Sequence, residues 1–172
     1  RRQAQTALRR SEERFRGAFE DAHAGMAIGG VDTSFRLVNR AFCDMLGYSE
    51  EELLGRTSLS ITHPEDAAIS AEAARRLASG ETDRVELEKR FVRRDGEVVW
   101  AIVRARRQSD RYGEQLVSHF LDITERKRIE QQLQEERRLR EEARRRELEM
   151  GHDIQRTLLV GDAAPRFAGT DI

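Results

Sequence analysis

The apolar positions of this chain repeat with two different periods, and the change between them divides it into parts. Residues 1–20 carry a helical stripe, Ala4, Leu8, Ser11, Phe15 and Ala18, at steps of four and three. Residues 21–123 are mixed in pattern and hold nearly all of the glycine, aromatic and β-branched residues. Residues 124–160 return to a helical period on a charged background. The expected organisation is an N-terminal helix over 1–20, a compact domain over 21–123, and a long linker helix over 124–160. Residues 161–172 would then open a further, truncated domain.

Within the middle part, Met26 to Val31 and Phe35 to Val38 predict short strands around a turn at "VDTS". "NRAFCDMLG" predicts a short helix closed by Gly47. In "YSEEELLG", Ser49 and Glu52 fit a capping box before another short helix. The longest internal helix is predicted over "THPEDAAISAEAARRLASGE". There Thr62 and Glu65 fit a second capping box, Pro64 suits the first turn and Gly80 stops the helix. The period then drops to two, with Val85, Leu87 and Phe91 on one face of "DRVELEKRFVRR". Asp95-Gly96 is a hairpin turn signal, "EVVWAIVRARR" is the return strand, and "QLVSHFLDI" is a third strand. Trp100 shares its strand face with Val98 and Ile102 and is expected on the outer side of the sheet. Two strands, several short helices and three longer strands indicate an α+β fold with an antiparallel sheet.

Charge changes the picture little. Charged residues make up 37% of the chain, but 31 Lys and Arg stand against 32 Asp and Glu, a net of -1. Such a balance gives no electrostatic case for nucleic acid as a partner. The one cysteine, Cys43, has no intrachain partner, which suits a reducing, cytoplasmic compartment. No apolar run is long enough for a membrane segment. His63 and His119 lack the neighbours a metal site needs, so no metal is expected. The chain opens on Arg1 and stops in mid-pattern, as a piece of a longer protein would.

"SEERFRGAFEDAHAGMAIGGVD", "VNRAFCDMLGYSEEELLGR", "HPED", "RRDGEVVWAIV" and "LDITERK", in this order and spacing, closely resemble the PAS sensor family over about residues 11–128. The resemblance implies a five-stranded antiparallel sheet with helices on one face, an internal pocket, and a regulatory rather than catalytic role. Candidates for the pocket wall are Met26, Ile28, Val38, Phe42, Met45, Leu46, Ile61, Leu77, Phe91, Ile102 and Phe120. A filled core is the alternative for most of them. A small molecule is a candidate partner, and its identity stays open. Haem-binding relatives take an axial histidine from the long helix, and residues 67–79 have none. The light-sensing branch needs an "NCRFLQ"-type cysteine that "RTSLSITHPED" lacks, so photoreactive flavin is disfavoured as well.

In the PAS family an Asp-Ile-Thr junction joins the last strand to the output helix, which assigns signal relay to Asp122, Ile123 and Thr124. A plain helix cap is the alternative. The helix beyond has apolar positions at Ile129, Leu133, Leu139, Ala143, Met150 and Ile154, an imperfect heptad with a four-residue slip. Leu8 and Phe15 would form a second seam at the front, and a homodimer through both flanking helices is expected. "ELEMGHDIQRTLLVGDAAPRFAGTDI" resembles the linker and first segment of SpoIIE-type metal-dependent Ser/Thr phosphatases through Ile154, Gln155, Leu158 and Leu159. Val160 stands where that family usually has proline. The alternatives for the whole are the sensor region of a histidine kinase, with His152 as phospho-acceptor, and a constitutive dimerisation spacer.

Overall fold

The period-two stretch becomes three long strands, and the two short apolar runs before it complete their sheet. The computed structural model describes residues 2–110 and 113–161. In chain order the elements are α1 (Arg2–Glu20), β1 (Gly25–Gly29), β2 (Phe35–Val38), α2 (Arg40–Leu46), α3 (Glu50–Leu54), α4 (Ala67–Ser79), β3 (Arg84–Val92), β4 (Val98–Asp110), β5 (Gly113–Asp122) and α5 (Thr124–Gly161). Two 3-10 turns, Leu59–Ile61 and Pro64–Asp66, lead into α4. The chain divides into two compact units, residues 1–127 and 128–172. The start of an output domain expected over 161–172 falls almost wholly outside the described residues.

The sheet has the order β2-β1-β5-β4-β3, and every neighbouring pair is antiparallel. The fold is therefore α+β, PAS-like, with a five-stranded antiparallel sheet and flanking helices. Strand alternation divides the two faces. Ala27, Val38, Phe91, Ala101, Val103 and Phe120 are buried in one core. Met26, Ile28, Trp100, Ile102, Arg104 and His119 hold the opposite phase.

Helix ends follow from local chemistry. Ser49 and Glu52 form the predicted capping box on α3. Gly47 and Gly80 close α2 and α4 with φ of 74° and 78°, a region where a side chain would be strained. The second capping box does not form. Thr62 Oγ1 donates to the Ser58 carbonyl at 2.8 Å, and His63 Nδ1 accepts from Glu65 N–H instead. The longest internal helix consequently begins at Ala67, after a 3-10 turn.

Asn39 ties three elements together. Its Oδ1 accepts from Met26 N–H at 2.8 Å and from Phe42 N–H at 3.0 Å. Its Nδ2 donates to the carbonyls of Phe19 at 2.9 Å and Ala24 at 3.0 Å. Beneath it lies an aromatic cluster: Phe42 stacks on Phe120 at 4.1 Å between ring centroids, and Phe91 meets both edge-on.

Candidate functional site

Where the aromatic cluster ends, the core is not filled. A cavity of about 60 Å³ lies among α4, the strands and the Thr33–Phe35 and Ser58–Leu59 segments. Its apolar wall comes from Leu77, Val85, Leu87, Val103, Leu116 and Phe120. Thr33, Ser34, Ser58, Ser70, Ser118 and Lys89 add polar groups to it.

Of the residues expected to line a pocket, Leu77 and Phe120 do. Val38, Phe42, Leu46, Ile61 and Phe91 are buried in the filled core beside it, and Met45 packs against that core. Met26, Ile28 and Ile102 belong to the opposite strand phase and are corrected to the other sheet face. The inward phase of β1 is Gly25, Ala27 and Gly29 because space there is already taken. A Cβ on Gly25 would meet Phe42 Cδ2 at 3.0 Å, and one on Gly29 would collide with the Ser34 carbonyl oxygen. Cys43 does not line the cavity; burial, helped by Glu50 and Asp44, pushes its thiol up and away from reactivity.

Lys89 is the residue that sequence reasoning missed. It is 3% exposed, and its Nζ donates to Ser70 Oγ at 2.6 Å, Thr62 Oγ1 at 2.9 Å and Ser58 Oγ at 3.2 Å. The Phe91 ring lies 4.5 Å from the same nitrogen. Burial pushes the ammonium down to about 8, against a partial pull upward from Asp66. The signal was present: Lys89 occupies the same strand phase as Val85, Leu87 and Phe91.

Arg90, the next residue, holds the open edge of β3. The 62–66 segment covers that edge, with His63 N–H donating to the Arg90 carbonyl at 2.9 Å. Asp66 accepts from the Arg90 main-chain N–H at 2.7 Å, from Nε at 3.0 Å and from Nη2 at 2.6 Å. These bonds hold the Asp66 carboxyl below the ordinary carboxylate range. The guanidinium also lies 5.1 Å from the Trp100 ring centroid, across the β3–β4 pair.

Trp100 is in turn the anchor of the joint. Its main-chain N–H donates to Thr124 Oγ1 at 3.0 Å, and its carbonyl accepts from Ile123 N–H at 2.9 Å. Asp122 Oδ1 accepts from Thr124 N–H at 2.8 Å and so caps the first turn of α5. Lys127, one turn on, lies 5.1 Å from the Trp100 ring and pairs with Glu88 at 2.7 Å. Ile123 and Thr124 are thus tied to one strand residue, which the sequence pattern did not name as their partner, and Asp122 is bonded to Thr124 beside them.

The family model described as PAS fold matches residues 35–117. The PAS domain of an HTR-like protein from Haloarcula marismortui is 27% identical, with a TM-score of 0.61 over 72% of this chain and 100% of that one. This chain contains a PAS domain. The segment is also 39% identical over 123 residues to the probable diguanylate cyclase DgcE of Escherichia coli K12, covering 70% of this chain. It is 29% identical over 140 residues to the sensor histidine kinase TmoS of Ectopseudomonas mendocina, covering 78%. The matched segments span 11% and 14% of those two relatives. Among the described residues, no helix of this PAS chain is long and apolar enough to cross a membrane.

Of the expected coiled-coil positions, Phe15, Ile129, Leu133, Leu139, Met150 and Ile154 are each about half exposed or more, and Ala143 is exposed. Phe15 stacks on the buried Phe19 at 5.7 Å. The side chain of Leu8 lies outside the described residues, as do those of Leu158 and Leu159.

Proposed function

We propose that this chain is the sensory and dimerising module of a multidomain signalling protein, and that it relays a signal through α5 to a C-terminal output domain. The observation that carries this reading is the double tie between Trp100 and the Ile123–Thr124 start of α5. Through this tie a displacement of β4 would carry to the first turn of the helix, because both main-chain groups of one strand residue are bonded there. Exposed apolar positions along α5 supply the surface through which two copies would pair and transmit a change of register. The free Cys43 supports a cytoplasmic setting.

A SpoIIE-type protein phosphatase is the output we favour, on the resemblance at Ile154, Gln155, Leu158 and Leu159. A histidine kinase with His152 as phospho-acceptor is the second reading, and the similarity to TmoS favours it. DgcE carries a similar segment beside a cyclase name, so a PAS module of this kind is not tied to one output. Assays of the full-length protein for phosphoserine phosphatase, autokinase and cyclase activity separate the three. The relay itself is tested by Asp122→Ala and Thr124→Ala in that protein. Altered output or altered regulation is expected; unchanged activity and unchanged regulation would remove the joint from the mechanism.

A further inference from the structure

Lys89 places a charge where the fold offers it no counter-charge. The hydroxyl oxygens of Ser58, Thr62 and Ser70 take up its three N–H donors and the Phe91 ring lies beside it, but none of these groups carries a negative charge. Among the described residues no carboxylate reaches ion-pair distance of Lys89 Nζ. Asp66 acts on it from further off and is already held by three hydrogen bonds from Arg90. His63 is the other titratable group in that segment, and β4 presents the neutral Ala101 and Val103. One polar group beside Lys89 makes no hydrogen bond at all: Thr33 lines the same cavity, and its buried Oγ1 has no hydrogen-bond partner among the described residues.

Size and wall chemistry limit what could satisfy both. At roughly 10–15 Å³ for each water-sized group, the cavity admits about four to six non-hydrogen atoms. One cation balances one negative charge; a dianion would leave a charge unpaired against leucine and valine. An apolar tail fits Leu77, Leu116 and Phe120.

We infer that this cavity binds a short monocarboxylate of the acetate-to-butyrate size class, with Lys89 as its counter-cation and Thr33 as a hydrogen-bonding wall residue. This rests on the reading of the chain as a sensor and names the chemistry it would sense.

The chain has only two lysines, Lys89 and Lys127, so lysine labelled with carbon-13 at Cε gives two signals. Lys127, paired with Glu88, is the internal reference. The 172-residue chain is titrated with acetate, propionate, butyrate and the uncharged propionamide at constant ionic strength. A saturable shift of the Lys89 signal by at least one acid, with none by propionamide, is expected. Affinity should fall roughly tenfold or more between pH 7 and pH 9.5 as the ammonium loses its proton. By calorimetry, Lys89→Met should abolish acid binding and Thr33→Val weaken it several-fold, each with an unchanged circular dichroism spectrum. No shift with any acid at millimolar concentration, or an equal response to propionamide, overturns the proposal and leaves Lys89 a purely structural tie. Binding is read on this chain and relay on output activity. Loss of binding therefore leaves the relay standing, and an output indifferent to Asp122→Ala sinks the relay but not the site.

Discussion

Trp100 and Thr124 meet through a single main-chain donor: the Trp100 N–H gives its hydrogen to Thr124 Oγ1 at 3.0 Å. Threonine is needed there for its oxygen, which is the acceptor of the Trp100 N–H where the β4–β5 pairing has ended at Ala101 and Asp122. Thr124→Val keeps the shape and removes the acceptor, leaving a half-buried N–H without a partner. The expected loss of stability is about 1–2 kcal/mol by denaturant unfolding, with Thr124→Ser close to wild type. Trp100 is the only tryptophan in the chain, so its fluorescence reports the joint directly. An emission spectrum and amide exchange rate at Trp100 untouched by Thr124→Val would mean that the bond holds nothing in place.

Lys89 sets a pH dependence whose sign runs opposite to that of an ordinary ion pair. Its folded-state value is pushed down to about 8, while in the unfolded chain it titrates near the usual lysine value of about 10.4. Between these values the unfolded state binds more protons, so stability rises with pH across about pH 8–10.4 and is flat on either side. The cost of burying the charge is fully present below pH 8 and relieved above it, on the order of 3 kcal/mol. Lys89→Met lacks this titration. Unfolding free energies of the two proteins, compared from pH 7 to pH 10.5, should converge or cross in the wild type's favour as pH rises. A constant difference would mean that Lys89 keeps a normal proton affinity.

Asn39 is buried with both amide groups engaged, donating twice and accepting twice. Asn39→Ala strips an N-cap from α2 and leaves two carbonyls and the Met26 N–H without partners. Roughly 3 kcal/mol or more of stability should be lost. Asn39→Asp should be poor as well, since it replaces the donor to Phe19 and Ala24 by a negative oxygen facing two carbonyls. Thermal unfolding of both variants within a degree or two of wild type would contradict this account.

The strand pattern and the Ser49–Glu52 cap were legible because they rest on local chemistry: alternation, a turn dipeptide, a three-residue spacing. The cavity was not. Its place depends on which phase of each strand turns inward, and β1 hides that by putting Gly25, Ala27 and Gly29 inside and Met26 and Ile28 outside. Hydrophobicity alone selects the wrong pair. Ile102 misled in the same way, although it shares the phase of Trp100, which was read correctly as outward. Lys89 failed for a different reason. A lysine in a charged strand reads as solvated, and only the distant Ser58, Thr62 and Ser70 make an inward ammonium tolerable. The Thr62–Glu65 cap was lost to the same cause, because Lys89 and the Ser58 carbonyl claim the Thr62 hydroxyl.

The Asp66 carboxylate clamps the edge of β3 only while ionised. Its folded-state value lies below the ordinary carboxylate range, chiefly through the Arg90 side-chain bonds. Its stabilising effect is therefore complete above about pH 4, the usual aspartate value, and is lost as pH falls through the lower folded value. Asp66→Asn should be less stable than wild type at pH 7, with the gap closing under acid. Unfolding measured from pH 6 down to pH 2.5 would show it. A gap that stayed constant would mean that shape rather than charge holds the edge.

Helix α5 exposes Ile129, Leu133, Leu139, Leu148, Met150 and Ile154 over 38 residues, and Arg–Glu pairs of the kind made by Arg138–Glu135 and Arg145–Glu149 add little. Each such pair is worth about 0.2–0.5 kcal/mol, too little to hold a long helix in water. A second copy laid along the Ile129, Leu133, Ala143, Met150 and Ile154 stripe would bury it. Glu136 and Arg140 interrupt that stripe and pair with one another at 3.6 Å, which weakens the seam where a zipper would have apolar residues. Opposite substitutions should therefore have opposite effects on self-association. Leu133→Gln with Ile154→Gln removes two apolar knobs, each worth about 1.5–3 kcal/mol when buried, and should raise the dimer dissociation constant by more than tenfold. Glu136→Leu with Arg140→Leu should lower it. Sedimentation equilibrium over a range of concentrations distinguishes the two directions. If the glutamine pair leaves association unchanged while the leucine pair strengthens it, the natural dimer lies elsewhere. If both shift it as stated, the stripe is a seam between two copies and its charged interruption is what weakens it.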